Sequence, residues 1–343
     1  MSKNHHSRST RDRRIGRRAI LAVGAAALAG VLVVLTAAAR QTTQQAPAPA
    51  PAAQKGFDTP QQAAEALIAA TAGFDVPALL EIFGPEGNEF VVTADPVRDK
   101  NTAEAFAALA REKNAVSLDP KNPALAVLIV GGQDWPFPVP LVRKGGRWYF
   151  DSAAGREEIL FRRIGANELD AIQICRGFVE AQKEYALEVH DDSGVNQYAQ
   201  RIISSPGKKD GLYWVEADGT PGGPISEAIA RAIEEGYSAN QGSGYHGYYY
   251  KVLKGQGPAA PLGELDYVIK GMMIGGFALV AVPSEYLVTG VKTFMVSYDG
   301  IVYEKDLGPD SAKIVKAMER YNPDKTWKRT DDGWSGEDSD NTN

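Results

Sequence analysis

The chain has 343 residues, 44% hydrophobic and 23% charged, with 37 Lys and Arg against 43 Asp and Glu. Eight of the basic residues and a single acid, Asp12, fall within residues 1–40, so the remainder holds 29 basic and 42 acidic groups. That acidic balance excludes recognition of nucleic acid through its phosphates, which needs a basic surface, and equally a peripheral patch for anionic lipid. The length suits two globular domains with appendages.

One cysteine, Cys175, rules out an intramolecular disulfide and a thiolate metal centre. It lies in IQICRGF among apolar neighbours and reads as a small buried hydrophobe.

Residues 1–18 form a basic leader, and Ala19 to Ala39 carries no charge. This is the order of a secretory signal. Arg17-Arg18 directly before an Ala- and Gly-rich apolar run fits a twin-arginine signal. Two readings stay open. Ala37-Ala38-Ala39 offers a cleavage site, while an uncharged segment of this length also spans a bilayer as an anchor, with its arginines cytoplasmic. Both place the folded part outside the inner membrane, periplasmic or in the cell envelope, touching membrane only through residues 19–39. Residues 40–56 follow as an Ala/Pro/Gln linker.

A small α+β domain is predicted over 57–154. Thr59-Pro60-Gln61-Gln62 opens a helix with Thr59 as cap and Gln62 closing a capping box. A short helix covers Val76 to Phe83, and a third covers Glu104 to Arg111. Strands are predicted at Leu125–Val130, Val139–Arg143 and Arg147–Phe150, the last two joined by a hairpin turn at Lys144-Gly145-Gly146. Helices followed by a small antiparallel sheet, ending GGRWYFD, resemble the cone-shaped domains of the nuclear-transport-factor-2-like and cystatin-like superfamilies. Such a cone implies a small-ligand pocket. The domain has no histidine, so an Asp–His site within it is excluded. Trp135, in the loop GGQDWPFPVP, is a candidate ligand or partner contact.

The second α+β domain is predicted over 155–330. A long helix, about Glu157–His190, carries Leu169, Ile172, Val179 and Ala186 on one seam and Ile174, Phe178 and Tyr185 on the next, an apolar face wide enough for a sheet. HDDSG ends it, and its oxygens do not match a calcium loop. Ile225–Glu235 reads as a second helix, stopped by Gly236. Four or five antiparallel strands follow: YHGYYYKVLKG, LDYVIKG, GGFALVAVP, GVKTFMVSY and IVYEKDL, with a hairpin at Asp299-Gly300. GGFALVAVP, apolar on both faces, belongs in the middle. A short helix is predicted at Ser311–Arg320. Residues 331–343, with five acids and no base, lack the composition to fold.

The helix AIQICRGFVEAQKEY, then NQYAQ, then strands closed by VTGVKTFMVSYDGIVYE, resembles the globular part of type IV pilins and pseudopilins, where a long helix packs on an antiparallel sheet. In pilins the apolar N-terminal segment runs directly into that helix. Here about 100 residues intervene. Across a wider span, DWPFPVPLVRKGGRWYFD, AAGREEILFRRIGANELDAIQ, YAQRIISSPGKKDGLYW, YHGYYYKVLKGQGPAAP and GGFALVAVPSEYLVTGVKTFMVSYDGIVYEKDLGPD resemble the bacterial family called domain of unknown function 2950. That resemblance implies an exported bacterial protein and carries no activity with it.

The catalytic inventory is thin. No G-x-S-x-G, H-E-x-x-H, P-loop or G-x-G-x-x-G occurs. His246 is the one histidine within a predicted strand and the only candidate general base, with Asp210 or Asp266 to orient it. No metal site and no cofactor is expected. Tyr245, Tyr248, Tyr249 and Tyr250 alternate across one strand and, with Trp135 and Trp214, are the candidate binding residues. The sequence favours a non-enzymatic envelope protein that binds a protein partner or small ligand. The alternative is a hydrolase or ligand-processing enzyme using His246 between the domains.

Overall fold

A computed structural model describes residues 54–93, 95–227, 229–231 and 244–331 of the chain. The leader, the apolar segment 19–39, nearly all of the linker and the acidic tail beyond Asp331 lie outside the described residues. So does half of the helix expected at Ile225–Glu235.

The first helix, α1 (Pro60–Ala72), begins as its sequence dictates. Thr59 accepts the Gln62 amide, and Pro60 occupies the first turn, where no donor is needed. The box closes one residue early, because Gln62 Oε1 accepts from the Asp58 amide rather than from Thr59. At its C-terminus Phe74 N–H bonds Thr71 C=O and Asp75 N–H bonds Ala70 C=O. This is the Schellman pattern, whose left-handed position is normally glycine. Here it is Phe74, at φ 45°. The left-handed backbone costs an L-residue about 1–2 kcal/mol.

Next come α2 (Val76–Phe83), α3 (Asn88–Val91) and α4 (Pro96–Glu112). Helix α4 starts well before the predicted Glu104, because Asp95 caps Arg98 N–H and Pro96 sits at the first position. Strands β1 (Asn114–Leu118), β2 (Leu125–Val130), β3 (Trp135–Pro136), β4 (Leu141–Lys144) and β5 (Arg147–Phe150) form one antiparallel sheet in the order β1-β2-β4-β5, with β3 beside β2. Gly145 and Gly146 both have positive φ, which a two-residue hairpin between Lys144 and Arg147 requires. One hydrophobic cluster, including Leu67, Leu79, Phe83, Leu128, Leu141 and Phe150, fills the space between these helices and the sheet.

Asp151 then caps α5 (Ser152–Tyr185), a 34-residue helix. It starts before the predicted Glu157, so the expected domain boundary at 154/155 falls inside its first turn. It ends at Tyr185 rather than His190, and its first turn is pinned to the N-terminal cluster. Ser152 Oγ donates to Phe83 C=O at 2.7 Å, and Gly155 lies so close to Val139 that a Cβ would come within 2.7 Å of it. Its second half carries the other cluster, through Ala171, Ile172, Cys175, Phe178, Val179 and Tyr185. Leu169, expected on that seam, is 57% exposed. Gln182 is fully buried and exchanges two 2.8 Å hydrogen bonds with the backbone of Ala199. Both clusters belong to one compact unit.

Beyond α5, β6 (Arg201–Ile203) runs parallel to β7 (Gly211–Val215), which pairs with β8 (Pro221–Gly222). Strand β9 (Tyr248–Leu253) opens the main sheet. The segments β10 (Gly255–Gln256), β11 (Leu265–Asp266), β12 (Val268–Ile269) and β13 (Met272–Met273) form two small hairpins. LDYVIKG is therefore not a strand of the main sheet. Lys270 and Gly271, both with positive φ, turn it back on itself, and Gly275 packs against Asp266 C=O with no room for a Cβ. Strands β14 (Ala278–Pro283), β15 (Lys292–Ser297) and β16 (Tyr303–Asp306) follow, and β17 (Lys328–Arg329) completes an antiparallel sheet ordered β17-β16-β15-β14-β9.

All six residues of β14 are buried, which fits an interior strand covered on both faces. Helix α5 packs on β14 and β15, and the short helix Ser311–Ala317 also packs on β14. The β15–β16 connection is wider than a two-residue hairpin. Met295 pairs with Tyr303, and Gly300 N–H closes a turn onto Ser297 C=O. The architecture is α+β: a long helix on a five-stranded antiparallel sheet, with a smaller helix-and-sheet layer at its N-terminal end. Among the described residues no helix is long and apolar enough to cross a membrane.

Candidate functional site

His246 does not lie in a strand. Tyr245 and Tyr248 exchange both backbone hydrogen bonds, at 2.9 and 3.1 Å, around His246 (φ 49°) and Gly247 (φ 74°). Positive φ at both central residues defines a type I′ turn. Histidine there is uncommon, and a strained backbone at a non-glycine residue is frequent at functional positions. Gly247 is required twice, since a Cβ would also come within 2.5 Å of Asn167 Nδ2 and 2.9 Å of Thr289. Asn167 in turn donates to Thr289 C=O at 2.8 Å. The turn is thus wedged against α5.

The wedge sets the partner of the imidazole. His246 Nδ1 lies 2.6 Å from Asp170 Oδ2, one helical turn beyond Asn167 on α5. Asp170, not Asp210 or Asp266, orients the ring. Asp210 accepts from the Ser205 amide (2.6 Å) and hydroxyl (2.9 Å) and lies near Arg201. Asp266 is paired with Arg320 at 2.6 Å. Tyr245 packs edge-on against the His246 ring, with centroids 4.4 Å apart.

This pair stands at the rim of a cleft of about 430 Å³. From α5 come Asp170, Gln173, Ile174, Gly177 and Phe178. Their spacing of 3, 4, 7 and 8 residues puts them on one face of the helix. Ile202 of β6, Leu212 of β7, Ile225 and Ile229 complete walls that are mainly apolar. Among the described residues few polar side chains converge there: the Asp170–His246 pair, Gln173, Ser226 and Tyr245. That volume and that ratio of apolar wall to polar anchor are typical of small-ligand sites. Gly177 widens the cleft, because a Cβ added there meets no atom of the described residues within 4 Å.

The tyrosine series divides. Tyr248 and Tyr250 are 0% and 1% exposed, so these two are core residues and not the surface contacts expected of them. Burial drives both phenols well above their ordinary range. Tyr248 donates to Lys292 C=O at 2.9 Å, whereas the Tyr250 hydroxyl has no partner among the described residues. Tyr245 and Tyr249 stay half-buried, and only Tyr245 lines the cleft.

Trp214 and Trp135 lie elsewhere. Trp214, on β7, donates to Glu216 at 2.7 Å and carries Lys209 over its ring at 5.2 Å. It adjoins His190, which stacks on Tyr185 at 4.0 Å beside a polar hollow that also holds Asp210. Burial, with Asp191 and Asp210 nearby, pushes the Tyr185 phenol up to about 12. Trp135, 42% exposed on β3, stacks beneath Arg162 at 5.3 Å. Asp170, Asn167, Gly177, Ile202 and Leu212 were not singled out from sequence. The face Asp170-Gln173-Ile174-Gly177-Phe178 was the signal available. No cluster of three or more metal-ligating side chains occurs among the described residues.

Residues 54–330 match the family model described as protein of unknown function (DUF2950). The chain belongs to that family. The match begins where the described structure begins and covers both hydrophobic clusters and the whole cleft. No curated protein and no solved structure matches the chain, so neither the cone-domain nor the pilin likeness gains support from a known fold.

Proposed function

We propose that this is an exported, non-enzymatic binding protein of the cell envelope, and that its ligand or partner seats an apolar group in the cleft between α5 and the Tyr245–Tyr248 turn. The observation that carries the reading is the cleft itself, an apolar chamber of about 430 Å³ with one oriented Asp–His pair at its rim. An apolar group gains roughly 25 cal/mol for each Å² it removes from water. The Asp170–His246 pair then supplies acceptor and donor sites that select the ligand's polar end. Export rests on the basic leader and the uncharged segment Ala19–Ala39. N-phenylnaphthylamine, a neutral fluorophore that brightens on leaving water, tests the cleft. It is expected to bind the full chain and to lose about tenfold in affinity in Gly177→Leu, whose side chain intrudes into the cleft.

A second reading comes from the same 2.6 Å contact. A carboxylate-oriented imidazole is the arrangement of a general base, so a hydrolase acting at the cleft rim is the alternative. A screen of ester, amide and glycoside substrates against wild type and His246→Ala separates the two. Turnover that disappears with the imidazole establishes the enzyme, and turnover that His246→Ala leaves unchanged removes His246 as its base.

A further inference from the structure

The cleft beside α5 is one-sided in charge. Among its described lining residues Asp170 is the single carboxylate, and no Lys or Arg accompanies it. Outside residues 1–40 the chain carries 42 acids against 29 bases, a field that draws cations toward the cleft and repels anions.

Hydrogen bonding at the rim points the same way. A carboxylate only accepts, so the 2.6 Å contact between His246 Nδ1 and Asp170 Oδ2 puts the proton of the neutral ring on Nδ1. Its Nε2 is then a bare lone pair. Neither Nε2 nor Asp170 Oδ1 has a hydrogen-bond partner among the described residues. Both unspent atoms of the pair are acceptors, and a donor appears there only when the ring is protonated. Tyr245 also lines the cleft, its ring centroid 4.4 Å from that of His246, and the face of a phenol ring attracts cations. A ligand ending in a carboxylate or phosphate brings further acceptors to the two already there. A ligand ending in N–H donors satisfies them.

We propose, resting on the reading of this cleft as a ligand chamber, that it takes an apolar primary amine. The ring or chain lies among Ile174, Phe178, Ile202 and Leu212, and the ammonium donates to Asp170 Oδ1 and His246 Nε2. The bound positive charge opposes protonation of the imidazole beside it, which keeps Nε2 an acceptor.

The test uses 1-naphthylmethylamine, 1-naphthylmethanol and 1-naphthylacetate, which share one aromatic body and end in a cation, a neutral hydroxyl and an anion. Each is titrated calorimetrically into the full chain at about pH 8, above the ordinary imidazole range. The amine is expected to bind about tenfold more tightly than the alcohol, the worth of one charge-assisted contact, and the acid more weakly than either. Asp170→Asn keeps an oxygen for the Nδ1 proton and removes the charge. It is expected to bring the amine down to the alcohol and to change the alcohol far less. Gly177→Leu is expected to weaken amine and alcohol by the same factor, because it acts on the apolar body they share. Amine and alcohol binding wild type equally, the acid binding as tightly as the amine, or an amine advantage that survives Asp170→Asn would each overturn the proposal, while alcohol binding sensitive to Gly177→Leu would still uphold the chamber. Failure of all three to bind overturns it as well, and N-phenylnaphthylamine then shows whether the chamber falls with it.

Discussion

Tyr248 and Tyr250 lie two residues apart on one strand, are equally buried, and differ in whether the hydroxyl has a partner. The first donates to Lys292 C=O, while the second has none among the described residues. Removing one partner of a buried hydrogen bond costs about 1–3 kcal/mol, whereas removing an unpaired hydroxyl costs little or stabilises. Tyr248→Phe is therefore expected to lower stability by about 1 kcal/mol, and Tyr250→Phe to be neutral or stabilising, in urea unfolding. Cys175 gives a pH prediction. Burial pushes its thiol up to about 12. The unfolded thiol ionises near pH 8.5, so the unfolded state loses its proton first as pH rises. The stability that the neutral thiol contributes is full below that point and is lost between there and about pH 12. Buried tyrosines act in the same direction above pH 10. Melting temperature should fall across this range, and Cys175→Ala should flatten its earliest part. An unchanged slope in that variant would refute the assignment to Cys175.

Helix α5 is the element on which the molecule depends, and its two ends illustrate what the sequence discloses. Its central apolar residues Ile172, Phe178, Val179 and Tyr185 follow the helical period and are buried as that period predicts. Its start is set by the Asp151 cap, legible only when the cap is sought. Its polar face was opaque. Asp170 meets His246 only because an I′ turn 76 residues later is wedged against Asn167, and no local pattern encodes that approach. Tyr-His-Gly-Tyr-Tyr-Tyr has high β propensity and predicts a strand through His246, yet Gly247 beside it is the better guide to a turn. Gly247→Ala measures the wedge. It combines positive φ with two close contacts and should destabilise by more than about 1 kcal/mol. Gly177→Leu should do the reverse, since its Cβ meets no atom of the described residues and it replaces the poorest non-proline helix former, a gain of about 0.8 kcal/mol.

At the scale of the whole molecule, the α+β class followed from element order, and the strands Leu125–Val130, Arg147–Phe150 and GGFALVAVP lie where alternation and apolar runs put them. The main sheet's membership did not follow, since β17 joins it from the far end of the chain and LDYVIKG leaves it. Pairing between distant segments depends on tertiary packing that a single sequence does not display. Export is tested in cells. A tagged full chain should fractionate with the envelope, and deletion of residues 19–39 should leave it in the cytoplasm. Equal envelope recovery of both forms would refute the signal.

That the cleft beside Asp170 and His246 binds an apolar ligand is tested most directly by titration of N-phenylnaphthylamine against three forms of the full chain. Saturable binding to wild type is expected, with about a tenfold loss in Gly177→Leu, whose melting temperature is kept or raised, and retention in Phe74→Gly, whose substitution lies in the N-terminal layer. Binding in Gly177→Leu that matches wild type would contradict it.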